Sequence, residues 1–209
     1  MIPRHRHHLL FALCMTALLT GCASRERLPS DPTQRDKELS HGYSLLYNVV
    51  SKQADLDKLF FLKRPPETTR ALMERIARAS REASAQLRQI AQNNPAIVLD
   101  DQGLPLLERN TRAAVEAATR NKLLFGDNFE LRLLLTQVES SNYVTHLAQQ
   151  LATIDTDEKR KETLTHIAEQ FGQFNDQVVQ RLREITGGAA PATPATPQTT
   201  PVPEGSGGQ

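Results

Sequence analysis

Apolar residues recur every three or four positions along most of this chain, which is the spacing of amphipathic helices rather than of β-strands. The clearest run forms one face near the C-terminus and consists of Leu164, Ile167, Phe171, Phe174, Val178, Leu182 and Ile185. Asp155-Thr156-Asp157-Glu158 precedes the run as an N-terminal cap, and Gly187-Gly188 follows it as a stop. This pattern predicts a final helix with one buried face.

Two helices are predicted upstream. The first has an apolar face of Tyr43, Leu46, Val50, Ala54 and Phe61, and we expect it to end at Pro65-Pro66. The second begins there and has a seam of Leu72, Ile76, Ala79, Ala83, Leu87 and Ile90. It ends at Asn93-Asn94-Pro95, and Ala96 to Leu104 then reads as a connection.

A third helix is predicted from about Pro105. Its apolar face consists of Leu107, Thr111, Ala114, Ala118 and Phe125, whose small members allow close helix approach. Gly126-Asp127-Asn128 breaks the chain and caps a fourth helix that runs to about Ile154.

The fourth helix has an unusual pattern. Leu131, Leu134, Leu135 and Val138 lie on one side, whereas Val144, Leu147, Leu151 and Ile154 lie nearly opposite. We therefore expect either a central helix that is covered on both sides or a bend near Ser140-Ser141-Asn142.

These elements predict an all-α, antiparallel bundle of four or five helices over residues 39–187. Residues 22–38 are polar, contain Pro29 and Pro32, and are predicted to form a flexible linker. Residues 188–209 are rich in Pro, Thr and Gly and hold too few apolar side chains to fold, which predicts a disordered tail.

The first 21 residues have the build of an export signal. A basic stretch from Arg4 to His8 is followed by an apolar run from Leu9 to Leu19, which is shorter than the about 20 residues that span a bilayer. The run ends in Leu19-Thr20-Gly21-Cys22. This motif resembles the lipobox of bacterial lipoproteins, in which an aliphatic residue and two small residues precede an obligatory cysteine.

The resemblance implies cleavage after Gly21 and a covalent lipid on Cys22. We expect no other cofactor. Each buried methylene contributes about 0.8 kcal/mol, so two or three acyl chains hold a protein at a membrane without a transmembrane helix. Ala23 stands where Asp commonly favours inner-membrane retention in Gram-negative lipoproteins. We therefore expect a lipid anchor at the periplasmic face of the outer membrane.

Charge and cysteine content argue against two further classes of function, nucleic-acid binding and thiol chemistry. The chain has 25 Lys and Arg, and removing Arg4 and Arg6 with the signal leaves 23 against 24 Asp and Glu. This balance, without a basic cluster, argues against a nucleic-acid partner. Cys14 lies in the signal and Cys22 carries the lipid, so no thiol remains for a disulfide or for catalysis.

One polar stripe on the fourth helix could carry chemistry. Glu139, Tyr143, His146 and Gln150 follow one another at helical spacing. Inward-facing carboxylates and histidines build the metal sites of ferritin-like bundles, which this layout faintly resembles. The Glu-x-x-His pairs of those proteins are missing, because Glu139 and His146 are too widely spaced and His166-Ile167-Ala168-Glu169 is reversed. The other expectation for the stripe is a satisfied polar contact between helices.

No phosphate loop, nucleophile elbow or His-Glu-x-x-His motif occurs in the sequence. We therefore expect no enzyme but a structural or partner-binding helical lipoprotein, which meets the membrane through its lipid and binds a protein of the envelope. The alternative is a ferritin-like metal-binding or redox bundle centred on Glu139, Tyr143 and His146.

Overall fold

The computed structural model describes residues 31–100 and 104–187, and every regular element in those ranges is helical. Contacts divide the chain between Arg35 and Asp36, and the packing below is that of the described residues from Asp36 onward. The elements are α1 (Pro32–Gln53), a short 3₁₀ helix (Leu56–Phe61), α2 (Glu67–Asn93), α3 (Leu106–Phe125), α4 (Phe129–Ile154) and α5 (Glu158–Ile185). The five α-helices pack antiparallel, so the predicted all-α bundle is confirmed.

The core consists of two clusters of buried side chains that meet on α5. Helices α4 and α5 form the most extensive pair, α5 also packs on α2, and α3 lies beside α4. The first cluster surrounds Phe171 and joins α1, α2, α4 and α5. The second surrounds Phe174 and joins the 3₁₀ helix, α2, α4 and α5 with Leu123 of α3. The two rings meet edge to face with centroids 6.0 Å apart, which makes the core continuous.

The predicted seams of α2 and α5 are confirmed. On α2 the buried predicted residues are Leu72, Ile76, Ala79, Ala83 and Leu87; on α5 they are Leu164, Ile167, Phe171, Phe174 and Val178. The cap of α5 is Asp157, whose Oδ1 accepts a hydrogen bond from the Arg160 amide at 3.0 Å. Asp155, at the start of the predicted capping segment, turns inward instead.

The expectation for α4 is wrong. Its buried face neither changes sides nor requires a bend, because one continuous seam runs through Leu133, Leu134, Gln137, Ser141, Val144, Ala148 and Leu151. Because Gln137 and Ser141 are polar, the spacing of apolar residues alone does not reveal this buried face. The buried Gln137 accepts a hydrogen bond from the Gln53 amide of α1 at 3.2 Å, which offsets part of the cost of burying both amides, while the buried Gln53 Oε1 has no partner among the described residues. Leu135, expected in the core, is 45% exposed.

Helix α1 differs from the prediction at both ends. It begins at Pro32, so residues 32–38 of the predicted flexible linker are helical, although all of them are exposed. It ends at Gln53, well before Pro65, and the 3₁₀ helix follows after one turn. This break changes the helical phase, so Leu56 and Phe60 are buried whereas Phe61, expected on the apolar face, is 91% exposed.

Two serines of α1 form hydrogen bonds with the connection that follows α2. The Ser40 Oγ accepts a hydrogen bond from the Val98 amide at 2.9 Å, and the Ser44 Oγ donates to the Asp100 carbonyl at 2.6 Å. Ile97 is buried in the first cluster. Residues 101–103 of the predicted connection lie outside the described residues.

Candidate functional site

A buried polar network links α1 to the turn between α4 and α5. The Tyr43 hydroxyl donates to Asp155 Oδ2 at 2.7 Å, and Arg160 donates from Nε to the same oxygen at 2.8 Å and from Nη2 to Oδ1 at 2.6 Å. The Asp157 amide donates to Oδ1 at 2.9 Å. The Asp155 carboxylate, whose side chain is 0% exposed, is thus held by a bidentate guanidinium, a phenol and a backbone amide.

Burial and hydrogen bonding act in opposite directions on Asp155. Burial raises the pKa of this carboxyl, but the hydrogen bonds from Arg160, the Asp157 amide and Tyr43 outweigh it, so the net pKa lies below its usual range. Burial, reinforced by the bond to the Asp155 carboxylate, raises the pKa of the Tyr43 phenol, which stays protonated. Both groups are sealed in the core, so the network can fix helices but offers no reacting atom to a substrate.

Sequence reasoning missed this network. The sequence pattern places Tyr43 on the core face of α1 and Asp155 in a helix cap, and the five-residue separation of Asp155 and Arg160 across a turn matches no standard motif. The one available signal was the tyrosine itself, because a buried phenol requires a hydrogen-bond partner.

Arg160 also borders a surface groove of about 400 Å³. Asp157, which already caps α5, is the one carboxylate among the residues that line this groove.

The polar stripe on α4 faces solvent. Glu139, His146 and Gln150 are exposed, and Tyr143 is 43% exposed. His146 Nδ1 lies 3.3 Å from the amide oxygen of Gln149 on the same helix. The expectation of a polar contact between helices is therefore wrong. Over residues 31–100 and 104–187, no three His, Cys, Asp or Glu side chains come together as ligands for a metal ion.

Helix α3 has the opposite orientation to the one its sequence predicts. Its charged face turns toward the bundle, where Arg112 Nη2 donates to Asn48 Oδ1 of α1 at 2.9 Å and Glu116 pairs with Lys52. Leu123 is the only buried residue of this helix. An amphipathic helix ordinarily buries its apolar face, so this inversion is the main departure from the predicted packing.

The apolar face of α3 is consequently at the surface. Leu107 is 79% exposed, Val115 60% and Phe125 83%, and the predicted face members Thr111, Ala114 and Ala118 are exposed as well. We call this face, with Leu106 and Leu124 at its edge, the α3 surface. Contiguous exposed apolar patches of this kind mark interaction sites in folded proteins.

Apolar side chains of neighbouring elements extend the α3 surface. Leu135 of α4 lies across a narrow groove that Lys122 and Leu123 also line. At the far end, the Lys63 ammonium donates to the Gly126 carbonyl at 3.2 Å and lies 5.7 Å from the centre of the Phe129 ring. This contact places the exposed Phe61-Leu62 segment at the same end of the bundle as Phe125.

Gly21 and Cys22 lie outside the described residues. None of the helices in the described ranges combines the length and the apolar composition that crossing a membrane requires. Comparison of the chain with protein-family models, with curated proteins and with solved structures finds no match.

Proposed function

We propose that the protein is a lipid-anchored, non-enzymatic module of the bacterial envelope, whose bundle presents the α3 surface to a binding partner. The lipobox ending at Cys22 supports the anchor, and Ala23 supports the outer membrane as its location. The exposed apolar face of α3 supports the binding role and is the observation that carries the proposal.

The inversion of α3 is informative because it has a physical cost. Exposed apolar side chains such as Leu107 and Phe125 forgo roughly 1.5–3 kcal/mol each that burial would contribute. The charged face of the same helix is instead used to attach it to α1 through Arg112 and Glu116. A helix attached through its charged face leaves its apolar face available to a second molecule. Binding of that molecule would bury the exposed apolar side chains.

The anchor is tested by replacing Cys22 with Ser in the full-length chain. We expect the variant to lose labelling by an alkynyl fatty acid and to leave the membrane fraction, because Ser accepts no thioether. Cys14→Ser is the matched control, since it removes the other cysteine within the signal and keeps the lipobox. Continued labelling of Cys22→Ser would contradict the anchor.

The binding role is tested in intact cells by photo-crosslinking. A photoreactive phenylalanine analogue replaces Val115, which is exposed midway along the α3 surface, or His166, an exposed position on α5 that serves as the control. We expect a discrete adduct from position 115 and none from position 166. If position 115 yields no adduct to any protein although the bundle is folded and membrane-bound, the proposed binding role is wrong.

A further inference from the structure

The sequence of α3 is complementary to itself when a second copy runs in the opposite direction. The exposed face carries Leu107, Thr111, Ala114, Ala118, Asn121 and Phe125, which alternate in steps of three and four. These six positions are symmetric about residue 116: Leu107 corresponds to Phe125, Thr111 to Asn121 and Ala114 to Ala118. In a twofold antiparallel interface residue i meets j and j meets i, so this spacing lets each position of the stripe face another of its members, large against large and small against small.

We infer that the α3 surface is a homodimer interface, in which two α3 helices pack antiparallel around a twofold axis that lies level with residue 116, between Ala114 and Ala118. This inference rests on the proposed function, because it identifies the partner of the α3 surface as a second copy of the chain. The central layers pair Ala114 with Ala118 of the second copy, and their small side chains let the helix axes approach to about 8 Å. The outer layers pair Leu107 with Phe125 of the second copy and close both ends with large apolar groups.

The charges beside this face favour the same arrangement. Glu108 and Lys122 flank the apolar positions on one side, with Val115 midway between them. The Glu108 side chain lies 4.0 Å from Arg112 of its own helix but is 41% exposed, and Lys122 is exposed, so both are accessible to a second copy. Antiparallel packing about a twofold axis keeps these flanking positions on the same side of the interface and brings each Glu108 near Lys122 of the second copy.

The area of the α3 surface limits the expected affinity of the dimer. A helix of 20 residues is about 30 Å long and 10 Å wide, which is less area than the roughly 800 Å² per partner of a standard stable interface. Leu135 enlarges the surface but does not double it. We therefore expect a weak dimer in dilute solution and a well-populated one at a membrane, where the anchor concentrates the copies.

Disulfide trapping tests the register and direction. Full-length Leu107→Cys and Phe125→Cys variants, each with a different epitope tag, are produced singly and together, and isolated membranes are oxidised. We expect a disulfide dimer from the mixture and none from either variant alone, because antiparallel packing separates the two Leu107 positions by about 27 Å. The chain without added cysteines controls for Cys22.

Charge reversal tests the same interface without a covalent bond. In detergent, Glu108→Lys should weaken self-association about tenfold, since two pairs are lost and replaced by repulsion, and Lys122→Glu should do the same. The double variant should return to within about threefold of wild type. Sedimentation equilibrium gives the dissociation constants, and circular dichroism verifies that each variant is folded.

Two results would overturn the inference. One is a disulfide dimer from Leu107→Cys alone as abundant as that from the mixture; the other is no cross-linked mixture together with monomeric wild type up to the highest concentration measured. An adduct from position 115 to a different protein would keep the proposed function and reject the homodimer. A complete lack of adducts would reject both.

Discussion

Replacing Arg160 with Met should destabilise the bundle strongly, because the change leaves the Asp155 carboxylate buried without its cation. The Asp155 side chain is fully buried and Arg160 is 17% exposed. Removing one partner of a buried ion pair costs 3–5 kcal/mol. We expect the low end, about 3 kcal/mol, because Tyr43 and the Asp157 amide still hydrogen-bond the carboxylate.

Urea unfolding followed by circular dichroism at 222 nm measures this loss, since the chain contains no Trp. Lys161→Met is the matched control one residue along α5: its partner Glu158 is 84% exposed, so the change should cost less than about 0.5 kcal/mol. A loss below about 1 kcal/mol for Arg160→Met, or equal losses for the two variants, would refute the argument that Asp155 is a buried anion.

The same network predicts a specific dependence on pH. The pKa of Asp155 is lowered in the folded protein, so its contribution to stability is complete above the unfolded value near 3.9 and is lost as pH falls toward the folded value. The free energy of unfolding of wild type should therefore fall between about pH 5 and 3. Arg160→Met should show a shallower fall, because burial then raises the pKa of Asp155; parallel curves would contradict this assignment.

Three further changes have distinct expected outcomes. Gly42→Ala should destabilise by about 1–3 kcal/mol in urea unfolding, because the new Cβ would lie 2.5 Å from Leu151 Cδ2 in the core. Gly172→Ala should raise the free energy of unfolding by about 0.5–1 kcal/mol, because Ala favours the helix and the new Cβ would lie at van der Waals distance, 3.7 Å, from Thr145 Cγ2. A decrease in the free energy of unfolding would show that this contact is tighter. Glu139→Ala with His146→Ala should change the melting temperature by less than about 2 °C and leave the metal content of the purified protein unchanged. Stoichiometric iron, manganese or zinc that disappears in the double variant would support the metal-binding alternative.

The elements that sequence analysis predicted best are those whose seams are purely apolar. Helix α5 carries Leu164, Phe171 and Val178 on one face, and α2 carries Leu72 and Leu87 in the same way. The hydrophobic effect alone orients such helices, because no other face can be buried at comparable gain.

Prediction failed where polar groups share the interior. On α4 the seam passes through Gln137, whose partner Gln53 lies 84 residues away along the chain, so helical spacing cannot reveal the pair. The orientation of α3 depends on contacts of Arg112 and Glu116 with α1, which are also distant in sequence. Apolar periodicity located α3 but could not show that its apolar face points outward.

If the α3 surface binds a partner, it is covered when the protein is anchored at its membrane. The most direct test of this prediction compares Val115→Cys with His166→Cys in intact membranes, using a membrane-impermeant maleimide after permeabilisation of the outer membrane. We predict that position 115 is protected in the membrane and reacts after the protein is purified and diluted in detergent, whereas position 166 reacts in both states. Rapid, equal labelling of both positions in the membrane would show that the α3 surface is free there and has no bound partner.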